Sequence, residues 1–314
     1  MAARRADEPR SSGGGGRRRR TEKAKGPSVA QSARQYLTAI AGGILVGLPL
    51  LWTMEVWDDG AVLGAAKLLV LLAIGFAVVV GFNSLAGFRR DRTWLALMVD
   101  SIEAMGMSVA VAALALAALG RLDPALGVPT LVGRIAIETI PVAFGMSLAA
   151  TVMGQSTGDK GGPTGESTTL GPLGRLLVAG AGALYFALNI APTDEVRILA
   201  AESSPVQLLA AVLAGLGIGL AIVFYSDFRG GLGLGKHDRR WPLENPVGET
   251  VAAYTLALLI SLVLLWAFGS VDGANPHAVV AQVVMLAIVA SFGAAGSRLI
   301  VGVGGAGQSE AQAR

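Results

Sequence analysis

The residues of this chain that could do chemistry are acidic side chains set inside long apolar runs. Glu103 stands about two turns into an Ala/Leu/Val-rich stretch, with Asp100 three positions before it, so that on a helix the two carboxylates share a face. Glu249 holds a similar place in a later stretch, and Glu138 lies deeper in another, four positions after Arg134. Glu55 and Glu195 close two further runs. An ionised carboxylate in hydrocarbon costs about 3 kcal/mol even on the mildest scales, so it is retained where it faces a cavity, a partner or a pathway. The chemistry such groups offer is the binding of a small cation or the carriage of a proton.

Each acid also has a plainer reading. Glu103 and Glu249 either form a carboxylate pair on a seam or snorkel to the interface and bond to neighbouring helices. Glu55 and Glu195 are either an outer acidic vestibule that concentrates cations or interfacial carboxylates in contact with water. Arg134 and Glu138 have the spacing of a local ion pair, and Lys67 could take Glu55 or Glu138 as its partner.

Other chemistries find no footing. The chain has no cysteine, which removes disulfides, thiolate metal sites and thiol nucleophiles. Gly230 and Gly235-Lys236 have the spacing of a phosphate-binding loop, but His237 stands where a serine or threonine should meet magnesium. His237 and His277 fall on opposite sides of the expected topology and cannot share a metal, and no nucleophile elbow stands out. The expectation is a protein with no metal, no cofactor and no catalytic residue, and so not an enzyme.

The elements that must position the acids are transmembrane helices. Hydrophobic residues make up 53% of the 314, charged residues 15%, and the mean hydropathy is +0.60; a soluble domain is roughly a quarter charged. Runs of spanning length predict eight helices, over 36–57, 62–86, 94–119, 130–153, 174–192, 204–226, 246–269 and 276–303. Ser204-Pro205, Asn245-Pro246 and Asn275-Pro276 read as helix starts, a capping side chain followed by a proline whose missing N–H is not needed there. Pro49 and Pro141 fall inside runs and invite kinks. Gly180 and Gly182, with Gly215, Gly217 and Gly219, predict close packing of the fifth helix on the sixth. With the N-terminus inside, every lysine and arginine except Lys67, Arg121, Arg134 and Arg197 falls on that side, which predicts cytoplasmic N- and C-termini. The first 34 residues, with Gly13 to Gly16 followed by Arg17 to Arg20, read as a disordered basic tail able to attract anionic lipid headgroups.

The runs repeat. Phe82-Asn83-Ser84 and Phe224-Tyr225-Ser226 end the second and sixth, a basic loop closes on Trp94 or Trp241, and Glu103 or Glu249 follows. Thr53-Met54-Glu55 matches Thr193-Asp194-Glu195, and Phe144-Gly145 matches Phe292-Gly293. The pattern predicts an all-α bundle of two tandem four-helix repeats, 35–154 and 174–304, joined by a cytoplasmic linker over 155–173 and ending in a short tail over 305–314. Four is even, so both repeats enter the membrane in the same sense around an axis along its normal, and the seam between them is the natural place for a pathway.

Thr53-Met54-Glu55 and Ala191-Pro192-Thr193-Asp194-Glu195 resemble the motif pair of a bacterial family of uncharacterised integral membrane proteins. That resemblance covers nearly all the chain after the tail and implies an inner-membrane address with no mechanism attached. The acids themselves point to a channel or carrier for a small cation or proton. The alternative is a scaffold or sensor that recruits partners through its tail and loops. Oligomeric state is open on either reading.

Overall fold

The computed structural model describes residues 29–85, 93–154, 172–228 and 245–312, so the tail before Val29, most of the expected linker and the two basic loops lie outside the described residues. Among the described residues there are ten α-helices and no strand. They are α1 (Val29–Leu51), α2 (Met54–Val62), α3 (Ala65–Leu85), α4 (Trp94–Ala118), α5 (Val128–Gly154), α6 (Pro172–Leu188), α7 (Glu195–Glu202), α8 (Pro205–Phe228), α9 (Pro246–Ala267) and α10 (Pro276–Gln312), with a single 3-10 turn, Pro124–Leu126, before α5.

Helix starts follow the local chemistry. The Asn245 side chain accepts from the Val247 amide at 3.2 Å and Asn275 from that of Ala278 at 2.8 Å, each just ahead of a first-turn proline. Ser204 accepts from the Gln207 amide at 3.3 Å while the Gln207 side chain returns to the Ser204 amide at 2.7 Å, a reciprocal cap.

Six helices are long and apolar enough to cross a membrane, α3, α4, α5, α8, α9 and α10, and α1 with α2 makes a seventh candidate if the bent pair is counted as one span. The first expected span, 36–57, breaks after Leu51, and α2 turns 83° from α1. Pro49 cannot donate within the ladder, and the Thr53 hydroxyl takes the Pro49 carbonyl at 2.6 Å, ending the helix. Nine residues turned so far do not extend the line of α1, and α2 packs on α5 instead. The expected fifth span becomes α6, 17 residues or about 25 Å against about 30 Å of hydrocarbon, because Asn189 to Asp194 leave the helix in turns. α10 continues to Gln312, past the expected end at 303.

Two helices organise the packing. α5 is surrounded by α1, α2, α3 and α4, and α10 by α6, α7, α8 and α9. α1 approaches α5 where Gly42, Gly43 and Gly47 lie against Val142, Gly145, Met146 and Ala149, and α6 approaches α10 where Gly182 lies against Gly293 and Ser297. A side chain at Gly145 or Gly293 would run into the backbone of the opposite helix. The expectation that α6 and α8 pack through their glycines is corrected by this geometry. Gly180 faces Leu256 of α9, Gly215 faces Tyr254 and Ser291, Gly219 faces Thr250, and Gly217 is open.

Between the halves there is packed side chain. Leu71 of α3 and Ile140 of α5 share one buried cluster with Ala183, Leu184, Ala187 and Leu188 of α6. Phe144 stacks on Tyr185, ring centroids 5.3 Å apart, and the Tyr185 hydroxyl donates to the Val46 carbonyl at 2.8 Å. The outward faces of α3 and α8 stay apolar and uncovered, with Leu69, Leu209 and Leu213 exposed, as a lipid-facing surface requires.

Candidate functional site

Glu138 stands on α5, the most enclosed of the spanning candidates, at the midpoint of its apolar stretch Val128–Ala149. The residue is 0% exposed, and neither carboxylate oxygen has a hydrogen-bond partner among the described residues. Ile135, one turn before it, packs with Leu51, Trp57 and Leu116; Val142, one turn after, packs with Val111, Ala112 and Met146. Helical spacing puts Glu138 on the same face, between two apolar clusters that both join α1, α4 and α5.

Arg134 does not pair with Glu138 as their spacing suggested. Its guanidinium reaches the other way, to the Asp58 carboxylate of α2 at 2.7 Å and to the Arg121 carbonyl at 2.7 Å. Two guanidinium groups, Arg121 and Arg134, lie over the ring of buried Trp57, each 4.8 Å from its centre. The Arg134 Nε is buried without a hydrogen bond among the described residues.

Around this clamp lies an acidic group drawn from both halves. Asp59 of α2 sits within electrostatic range of Asp58, Glu55, Asp194 just before α7 and Arg197 on α7. Its carboxyl is pushed up to about 6, chiefly by burial; Arg197 opposes the shift, and the acids reinforce it. Glu55 and Glu195 are exposed, each in the first turn of its short helix, where the helix dipole favours a negative charge. Lys67 takes neither Glu55 nor Glu138. It pairs with Asp272, in the turn after α9, at 3.2 Å and lies over Trp266, tying α3 to the second half.

At the opposite end of the bundle, the structure does not bring Glu103 and Glu249 together. Glu103 accepts from the Tyr36 hydroxyl of α1 at 2.6 Å and is exposed. Glu249 is buried and accepts from Nε of Arg175, on α6, at 3.0 Å, the two side chains being 3% and 6% exposed. Each acid therefore has a partner on the first long helix of its own half. Asp100 lies on α4 one turn from Glu103, beside Ser101, whose hydroxyl accepts from Asn83 at 3.0 Å. Among the described residues no group of three or more histidine, aspartate or glutamate side chains is disposed to hold a metal ion.

The model of a family described as "Putative integral membrane protein (DUF2391)" matches residues 35–301. The chain belongs to this family. No curated protein and no solved structure matches it.

For this member of the family, sequence reasoning counted Arg175 only among the charges on the side of the termini and did not foresee that it would be buried on α6 as the partner of Glu249. The Arg134–Asp58 pair left no local signal, because its partners are 76 positions apart.

Proposed function

We propose that the chain carries protons, or a small cation in exchange for them, across the membrane, with Glu138 as the central binding group. The observation that carries this reading is a carboxylate at the midpoint of a spanning helix, fully buried and without a hydrogen-bond partner among the described residues. Intramembrane acids of that kind mark proton relays and ion pathways. Asp100 and Glu103 serve one approach to it, and the Asp58–Arg134 pair with Glu55 and Asp59 the other. Glu195 adds to the acidic vestibule, while Glu249 is held by Arg175 and acts structurally.

The same reading takes the chain as a duplicated unit crossing the membrane eight times, both termini cytoplasmic, in a bacterial inner membrane. The matching crossings of α1 on α5 and α6 on α10 support the duplication, as do the corresponding pairs Tyr36–Glu103 and Arg175–Glu249. The second half carries Leu286, fully buried, where the first carries Glu138, so the proposed pathway runs through the first half alone.

The test is proton flux into proteoliposomes loaded with a pH indicator. Wild type should acidify the lumen under an imposed gradient, Glu138→Gln should abolish that flux, and Glu103→Gln should slow it. Unchanged flux in Glu138→Gln would end the proposal. A second reading, a membrane scaffold recruiting partners through its basic tail and loops, is favoured by the Ala/Leu-filled seam. It predicts no flux in wild type and binding of anionic vesicles through the tail.

A further inference from the structure

Three buried polar side-chain atoms without a hydrogen bond among the described residues fall within about one turn of α5: Arg134 Nε and both carboxylate oxygens of Glu138. Leaving such groups unpaired costs about 1–3 kcal/mol each, so their clustering on one helix face calls for an explanation. Side chains on a helix lean toward its N-terminus, which tilts Glu138 toward the turn that bears Arg134. Residues four apart have Cβ atoms about 5–6 Å from each other, within reach of an arginine side chain. Arg134 thus has two carboxylates available, Asp58 on α2, which it holds at 2.7 Å, and Glu138 on its own helix.

We infer that Arg134 is a two-position switch, bound to Asp58 while Glu138 carries a proton and moving onto Glu138 when that proton leaves. This deepens the proton-carrying role assigned to Glu138 and rests on it. The exchange keeps the buried interior neutral at each step. A protonated Glu138 needs no counter-ion, so Arg134 stays in the outer clamp with Asp58, the Arg121 carbonyl and Trp57. An ionised Glu138 would be an uncompensated buried charge, and the nearest cation able to meet it is one turn away. The released Asp58 is about half exposed and can be hydrated.

The other charges on elements packed against this part of α5 do not compete for the role. Asp59 and Glu55 of α2 are acids, as is Asp123 beside the 3-10 turn. Lys67 of α3 is held by Asp272. Arg121 is exposed, its guanidinium lies over Trp57, and it is 17 positions from Glu138 rather than one helical turn. Asp100 and Glu103 of α4 lie at the opposite end, and α1 presents no acidic or basic side chain between Tyr36 and Leu51.

Trp57 reports the position of Arg134, since a stacked guanidinium changes indole emission when it leaves. The experiment uses the full chain in nanodiscs with Trp52, Trp94, Trp241 and Trp266 replaced by phenylalanine, following Trp57 emission as pH is raised. One transition is expected. It should be lost in Glu138→Gln, which stays locked in the low-pH state, and in Arg134→Lys, which lacks the planar group. In Asp58→Asn the midpoint should move down by a unit or more, because freeing Arg134 from its competing partner favours the ionised Glu138. A Glu138→Gln profile that superimposes on wild type would overturn the switch, and so would an unmoved midpoint in Asp58→Asn. The readout needs no transport: flux absent with the transition intact would sink the transport proposal and leave the switch, whereas flux present with no transition would do the reverse.

Discussion

Replacing Arg175 or Glu249 singly should unfold this protein far more readily than replacing both together. The pair is separated by 3.0 Å with side chains 6% and 3% exposed. At an effective dielectric of about 20 the attraction across that distance is roughly 5 kcal/mol, and most of it offsets the cost of taking both charges out of water. Arg175→Met leaves Glu249 buried without that partner and should cost about 3–5 kcal/mol. Glu249→Met should cost somewhat more, because it leaves a cation in the first turn of α6, where the helix dipole opposes it by about 0.3–1 kcal/mol. Glu249 stands in the first turn of α9, where the same dipole favours an acid. The double Met variant fills the site with apolar volume and should return to within about 1–2 kcal/mol of wild type. Lys67→Met is the control: its partner Asp272 is largely exposed, and losses there should stay under about 1 kcal/mol. Reversible unfolding in mixed micelles would measure all four. The reasoning fails if either single variant loses no more than the Lys67 control, or if the double variant is no better than the worse single one.

Three further outcomes follow from the packing and from the outer acidic group. Gly145→Ala and Gly293→Ala each push a methyl into the opposite helix backbone and should lose about 1–3 kcal/mol, read in the same unfolding assay. Gly217→Ala meets nothing within contact distance and should instead gain up to about 1 kcal/mol from helix propensity. Asp59, raised by burial to about 6, binds its proton more tightly folded than unfolded. Its contribution to stability is therefore complete below the ordinary carboxylate value and is lost as pH rises through about 6; unfolding measured about a unit either side of that point should show the loss in wild type and not in Asp59→Asn.

Much of the fold was legible along the chain. The apolar runs announced membrane helices because hydrocarbon leaves the backbone no partner but itself. The starts at Pro205, Pro246 and Pro276 could be read because a capping side chain and a missing amide act over two or three residues. Chain breaks were harder to see: Thr53 and Thr193 stood in the matched motifs, but only the tertiary structure turned α2 aside by 83° and ended α6 at Leu188.

The acids themselves were visible in the sequence, and their company was not. Local spacing offered Glu138 to Arg134 and gave Arg175 no partner. The fold gave Arg134 to Asp58, Arg175 to Glu249 across 74 positions and Lys67 to Asp272 across 205. Charges buried together are chosen by which helices touch, and that depends on glycine surfaces such as Gly42 on Gly145 and Gly182 on Gly293 meeting at the right depth. Composition determined that this chain belongs among membrane helices; packing decided that Glu138, alone among the described acids, stands at the centre of one without a hydrogen-bond partner among the described residues.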